Sequence, residues 1–149
     1  MILLAHPSGN ANVRAVLHAL QEVGQLAKFI TALGWSSHGP LLRALPPTLR
    51  RTLARRSYDL PNEKIEMQSS REIVRLLAGA AKVGPLLRHE QGWASIDRVW
   101  TRIDGAAAAW LCAQHAKDKV RGVYAYEDCA LRVFENARVL GVRLSLIHI

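Results

Sequence analysis

The sequence predicts an α/β fold, an open parallel sheet flanked by helices, with a helical insertion at about residues 36–60. Three observations predict it. Short apolar runs, Ile2-Leu3-Leu4-Ala5 and Val123-Tyr124-Ala125-Tyr126 above all, read as strands buried on both faces. Amphipathic segments at helical spacing follow them, which is the order of βαβ units. Gly, Pro, Ser and Asn gather at the junctions, where the chain has to turn.

The first unit sets the pattern. The run at residues 2–5 ends in His6-Pro7-Ser8-Gly9-Asn10-Ala11-Asn12. Val13, Val16, Leu17, Leu20 and Val23 then recur at helical spacing up to Gly24. Ser8, Asn10 and Asn12 are all candidate N-caps. In an open α/β sheet, ligands bind beyond the carboxyl ends of the strands. The loop 6–12 is therefore the first candidate site, with backbone N–H groups at the helix start free to face an anion. It lacks the full G-x-G-x-x-G spacing and the lysine of a P-loop.

A second strand is expected at Leu26–Thr31. Gly34, Gly39, Pro40, Pro46, Pro47 and Pro61 then break the pattern, and two short apolar stripes (Leu41, Leu42 and Leu45; Leu49 and Leu53) predict the helical pieces of the insertion. A short strand is expected at 64–68, then a helix over 70–83. Ser69 or Ser70 would cap that helix, Ile73, Val74, Leu76 and Leu77 would form its apolar side, and Gly84-Pro85 would end it. A longer helix starts near Ser95, with Ile96, Val99, Trp100, Ile103, Ala107, Trp110 and Leu111 on one stripe and Asp97 at its positive end. After the strand at 123–126, Asp128 is the expected cap of a helix burying Leu131, Phe134, Ala137 and Leu140. Gly141 stops it, and another strand begins at Val142.

With 149 residues, half of them hydrophobic, the chain suits one domain with a real core. The net charge of +8 is unevenly placed: residues 43–75 carry eight basic and four acidic side chains. Arg50, Arg51, Arg55 and Arg56 surround Leu49 and Leu53, a pattern that suits an anionic membrane surface or a solvated face. No aromatic residue interleaves with these arginines, so nucleic acid is not an expected partner. Cys112 and Cys129 fit no metal spacing, and His89-Glu90 lacks the second histidine of a zinc helix, so no metal site is expected. The opening MILLAHP has no basic n-region, which favours a cytoplasmic protein.

Two further groups lie where ligands would reach them. Glu127 and Asp128 sit where a strand hands over to a helix, as hydroxyl-binding or acid–base carboxylates or as a cap with a solvated neighbour. His6 follows the first strand and could enter the same crevice, or serve as a structural hydrogen-bond partner. Trp35 and Trp93 lie in loop-like contexts after glycine, where an exposed ring could stack on a sugar, though packing accounts for most tryptophans.

The opening His6-Pro7-Ser8-Gly9-Asn10-Ala11-Asn12-Val13-Arg14, the stretch Gly92-Trp93-Ala94-Ser95-Ile96-Asp97 and Val123-Tyr124-Ala125-Tyr126-Glu127-Asp128 resemble, in this order, the amino-terminal half of bacterial glycosyltransferases of family four. The resemblance runs from Met1 to about Val142. It implies the GT-B fold, two Rossmann-like domains facing across a cleft. The amino-terminal domain mainly holds the acceptor, and the carboxyl-terminal domain mainly holds the nucleotide-sugar donor. It further implies retaining transfer of a hexose to an acceptor hydroxyl, with no cofactor and no bound metal. Many such enzymes lie peripherally on membranes, so the basic segment would face the inner side of the plasma membrane.

Carried onto this chain, the resemblance makes His6, Ser8, Gly9, Asn10 and Asn12 the substrate-binding set and Tyr126, Glu127 and Asp128 the catalytic edge of the cleft. Many relatives have histidine where Tyr126 stands, and glycine is frequent where Cys129 stands. Nothing matches the donor-binding half, and Leu144-Ser145-Leu146-Ile147-His148-Ile149 matches the translation of a transposon sequencing adapter. The expected organisation is thus an incomplete acceptor-side domain at 1–143 with a non-native tail at 144–149, its missing partner being the carboxyl-terminal domain. The competing expectation is a non-catalytic nucleotide-binding or membrane-surface module.

Overall fold

The computed structural model of the chain describes residues 1–37, 56–115 and 120–147. The elements are β1 (Ile2–Ala5), α1 (Ala11–Glu22), β2 (Leu26–Thr31), β3 (Trp35–Ser36), β4 (Ser57–Tyr58), β5 (Ile65–Met67), α2 (Ser69–Ala80), α3 (Gly84–Leu87), α4 (Ile96–His115), β6 (Gly122–Tyr126), α5 (Leu131–Val139) and β7 (Arg143–Ile147). Five strands form one sheet in the order β5-β2-β1-β6-β7. Every neighbouring pair is parallel, with Leu4 opposite both Phe29 and Tyr124. This is the Rossmann-like open sheet that the strand–loop–helix pattern predicts.

Helices cover both faces, because alternate residues of each strand are apolar on both sides. On one face Leu3, Ala5, Ile30, Val123 and Ala125 pack with Val99, Ile103, Ala107 and Leu111 of α4 and Val133 and Ala137 of α5. On the other, Leu4, Leu26 and Phe29 pack with Val13 and Leu17 of α1 and with Tyr58 and Leu60. Fully burying side chains such as Leu4 or Phe29 contributes roughly 1.5–3 kcal/mol each. Among the described residues no helix is long and apolar enough to cross a membrane.

Of the candidate caps of α1, Asn10 is the one used: its Oδ1 accepts from the Val13 N–H at 2.9 Å. The expected cap of α5 is corrected. Asp128 lies in a 3-10 turn, Glu127–Cys129, and caps nothing. Asp104, from the middle of α4, takes its place across the domain. Its carboxylate accepts from Arg132 N at 2.8 Å and Val133 N at 2.9 Å. An acid on the apolar stripe of one helix thus satisfies the open N–H groups of the next.

The helix at 69–80 also departs from expectation. Neither Ser69 nor Ser70 caps it; both stand in its first turn behind Gln68. Gly84-Pro85 does not end it but opens the short α3, proline being well suited to a first helical turn. The expected apolar side is turned outward, with Ile73, Leu76 and Leu77 at 44%, 43% and 64% exposure, while Glu72 is only 3% exposed. The ion pairs of Glu72, described below, hold that side inward. Most of the expected helical insertion, with Arg50, Arg51 and Arg55, lies outside the described residues. Its flanks are not helical: Trp35–Ser36 pairs in parallel with Ser57–Tyr58. Residues 143–147 form the edge strand β7, with Leu144 and Leu146 exposed.

Replacing Asp104 removes two charge-assisted hydrogen bonds from a buried helix start. Asp104→Ala should destabilise the domain by about 3 kcal/mol and Asp104→Asn by less, measured by urea unfolding.

Candidate functional site

The strand order changes direction at β1: the chain builds outward through β2 and β5, then returns to the other side of β1 with β6 and β7. The loops after β1 and β6 therefore diverge, which opens a crevice at the carboxyl edge of the sheet. A cleft of about 270 Å³ lies there, reached by His6, Asn10, Arg56, Glu72, Trp100 and Tyr126 among others.

The loop after β1 is held by its own histidine. His6 Nδ1 accepts from Ser8 N at 3.1 Å and Gly9 N at 2.8 Å. With Nδ1 an acceptor from two N–H groups, the proton of the neutral ring sits on Nε2. His6 is buried, and desolvation lowers its pKa from 6.5 to about 4, so the ring is neutral at neutral pH. Its face tilts against Tyr126, with ring centroids 4.9 Å apart.

These contacts narrow the expectation of free N–H groups at the loop to its helix-start residues. Ser8 and Gly9 donate to His6, Val13 donates to the Asn10 side chain, and Arg14 donates to the Asn10 carbonyl at 3.0 Å. The loop recognises little through those four groups; it is a rigid wall instead.

Tyr58 is the floor of that wall. Gly9 adopts a positive φ of +53°, and a Cβ built there would fall 2.8 Å from Tyr58 Cζ. Gly34 approaches the opposite ring edge, where a Cβ would lie 2.6 Å from Cε2. Phe29 meets the ring edge-on at 4.8 Å and the Arg14 guanidinium lies 4.6 Å from its centroid. β4 thus brings one aromatic ring under the loop from a distant part of the sequence.

The opposite wall is charged. Glu72 accepts from Arg56 Nη2 at 3.0 Å, from Arg75 Nε at 2.7 Å and from Arg75 Nη2 at 2.9 Å. Desolvation works to raise the Glu72 pKa, but the Arg75 hydrogen bond and charge, with those of Arg56, outweigh it and hold the carboxyl below its ordinary range. Arg75 is correspondingly raised by the Glu72 bond. Val99 and Trp100 of α4 complete an apolar side, with Trp100 edge-on to Tyr126 at 6.3 Å.

The expected site residues divide accordingly. His6, Ser8, Asn10 and Tyr126 reach the cleft; Gly9 lies beneath the loop, and Asn12, Glu127 and Asp128 are exposed and do not line it. Desolvation first, then Asp128 and Glu127, raises the Tyr126 pKa, so Tyr126 is a neutral phenol rather than a base. Burial first, then Asp104 and Asp128, likewise raises the Cys129 thiol, which is inert as a nucleophile. Arg56, expected on an outer basic surface, faces the cleft and Glu72. Trp93 is half-exposed but covered by Arg71, 5.4 Å from its ring.

Glu72 and Arg75 were not expected at the site. Their i,i+3 spacing is an ordinary helix-surface pairing, and only the packing of α2 turns it inward. Asp104 left a legible signal, an acid beside Ile103 on an apolar stripe. No protein-family model, curated protein or solved structure matches the chain.

Two outcomes check the site. Gly9→Ala should destabilise the domain by about 2–4 kcal/mol, since it adds backbone strain to an overlap with a buried ring. Gly24→Ala, also at positive φ but in open space, should cost only about 1 kcal/mol. The second outcome concerns pH. A group whose folded pKa is depressed gives stability that is complete above its unfolded value and lost as pH falls through the folded one. His6 should therefore remove up to about 3 kcal/mol between pH 6.5 and about 4. His6→Asn keeps an acceptor near Nδ1 and should flatten that window in chemical-denaturation curves, leaving the acid loss below 4.5 that Glu72 contributes.

Proposed function

We propose that this chain is the acceptor-side Rossmann-like lobe of a retaining GT-B glycosyltransferase. The observation that carries the reading is the cleft at the switch point of the sheet, walled by the loop 6–12 and Tyr126, the same segments on which the resemblance to family four rests.

In this reading an acceptor hydroxyl enters the cleft and its oxygen bonds to the anomeric carbon of the donor as the bond to the nucleoside diphosphate breaks. The hydroxyl proton passes to the departing diphosphate. The neutral His6 and Tyr126 supply hydrogen bonds that orient the sugar, and neither is a base. Trp100 offers an apolar edge to a pyranose face. The nucleotide and the charge on the leaving diphosphate belong to a second lobe, as preorganised cationic groups are needed there. Peripheral attachment to an anionic membrane through Arg50, Arg51 and Arg55 is part of the same proposal.

Reading the gene onward from Arg143 in independently assembled DNA should reveal an open frame for a second Rossmann-like lobe. That longer protein should transfer labelled sugar from a panel of nucleotide-sugars to a lipid or sugar acceptor. Residues 1–149 alone should give no transfer above background. A stop codon directly after Ile149, or turnover by residues 1–149 alone, overturns the reading.

A further inference from the structure

We infer that the cleft is an anion site, in which Arg56 and Arg75, set by Glu72, take a phosphate or carboxylate group of the ligand with His6 Nε2–H as a further donor. The acceptor role of that ligand rests on the reading above; the anion site itself does not.

Glu72 is the only acidic side chain that reaches the cleft among the described residues, and it faces two guanidiniums. One carboxylate against two arginines leaves a positive charge over. A guanidinium carries five N–H donors in a planar fork matched to carboxylate and phosphate oxygens. Glu72 takes Nη2 of Arg56 and Nε and Nη2 of Arg75. Arg56 Nη1 is buried with no partner among the described residues.

His6 adds an independent observation. Its side chain is 3% exposed, its Nε2 is buried, and no acceptor among the described residues meets it. Because Nδ1 is committed to the Ser8 and Gly9 N–H groups, Nε2 is a donor. Buried donors left open are costly in a folded protein. Here both belong to residues that line one cleft with excess positive charge, and an anion would answer that charge.

Glu72 is then a positioning residue. It binds no ligand itself; it fixes the two arginines in the wall of the cleft. The size of the cleft, about 270 Å³, suits a small molecule or a single charged sugar rather than a polymer. The apolar side at Val99 and Trp100 would take the uncharged body of that molecule.

The test is calorimetric titration of the 149-residue chain at low ionic strength. The probes are inorganic phosphate, glucose 1-phosphate, glucuronate and glucose. Saturable binding of phosphate and of at least one charged sugar is expected, with glucose silent; the two charged sugars separate a phosphate ligand from a carboxylate one. Arg56→Gln and Arg75→Gln should each weaken binding at least tenfold. Arg71→Gln, which removes an arginine outside the cleft, should leave it unchanged. Arg75→Lys keeps the charge beside Glu72 and should fold, while weakening binding several-fold through loss of the fork. Arginine side-chain nitrogen resonances of the unmutated chain should shift with phosphate and not with glucose. Absence of saturable binding, or equal weakening by Arg71→Gln, overturns the anion site and leaves the transferase reading standing. Anion binding by a chain whose gene encodes no second lobe overturns the transferase reading alone.

Discussion

β1 sits at the centre of a sheet whose chain first winds to one side and then to the other. That reversal decides where everything else lies. The loop after β1 cannot follow both neighbours, so it parts from the end of β6 and leaves a crevice between His6 and Tyr126. The carboxyl ends of the other strands are tied into the same rim. Ala32 N donates to the Pro7 carbonyl at 3.3 Å, and Gln68 N donates to the Thr31 carbonyl at 2.8 Å. The crevice is thus a consequence of topology, and backbone pairing joins the loop's own side-chain bonds in holding its rim.

Three buried polar side chains finish what topology begins. Asp104 ties α4 to the start of α5, His6 folds the first loop around its own ring, and Glu72 turns α2 so that its arginine neighbours face the cleft. Each costs desolvation and is tolerated only because it gains strong hydrogen bonds or ion pairs. Asp104 serves the fold alone. Glu72 and His6 differ in that buried donors beside them, Arg56 Nη1 and His6 Nε2, have no partner among the described residues, and both residues line the cleft. The same chemistry that stabilises the domain therefore prepares a surface for a negatively charged ligand.

Under the proposed transferase reading, the neutral donors and aromatic edges on one side of the cleft would orient a sugar, and the guanidiniums on the other would select its charge. The exposed pair Glu127 and Asp128 stands beside this cleft rather than within it, and after desolvation its charge raises the Tyr126 pKa further. The loop is packed closely over Tyr58, with no room for a Cβ at Gly9.

Much of the fold was legible because hydrophobic periodicity is a local signal. The strands at 2–5, 26–31 and 122–126, the helix after residue 10 and the long helix after Ser95 all follow from it. The site was legible only as a place, the loop 6–12 and the end of β6. The role of Glu72 was not, because an acid at an ordinary i,i+3 spacing looks alike whether it faces solvent or a partner; Asp104 stood out on its apolar stripe, but the element it would meet did not. The cap of α5 shows why: Asp128 stands next to the helix in sequence, but Asp104 reaches it through space. By itself the sequence determined the alternation of strand and helix and the loop chemistry at each turn, since these depend on neighbours within a few residues. Tertiary structure alone decided which charges were buried together and which donors were left facing the cleft, because burial and pairing are set by residues tens of positions apart.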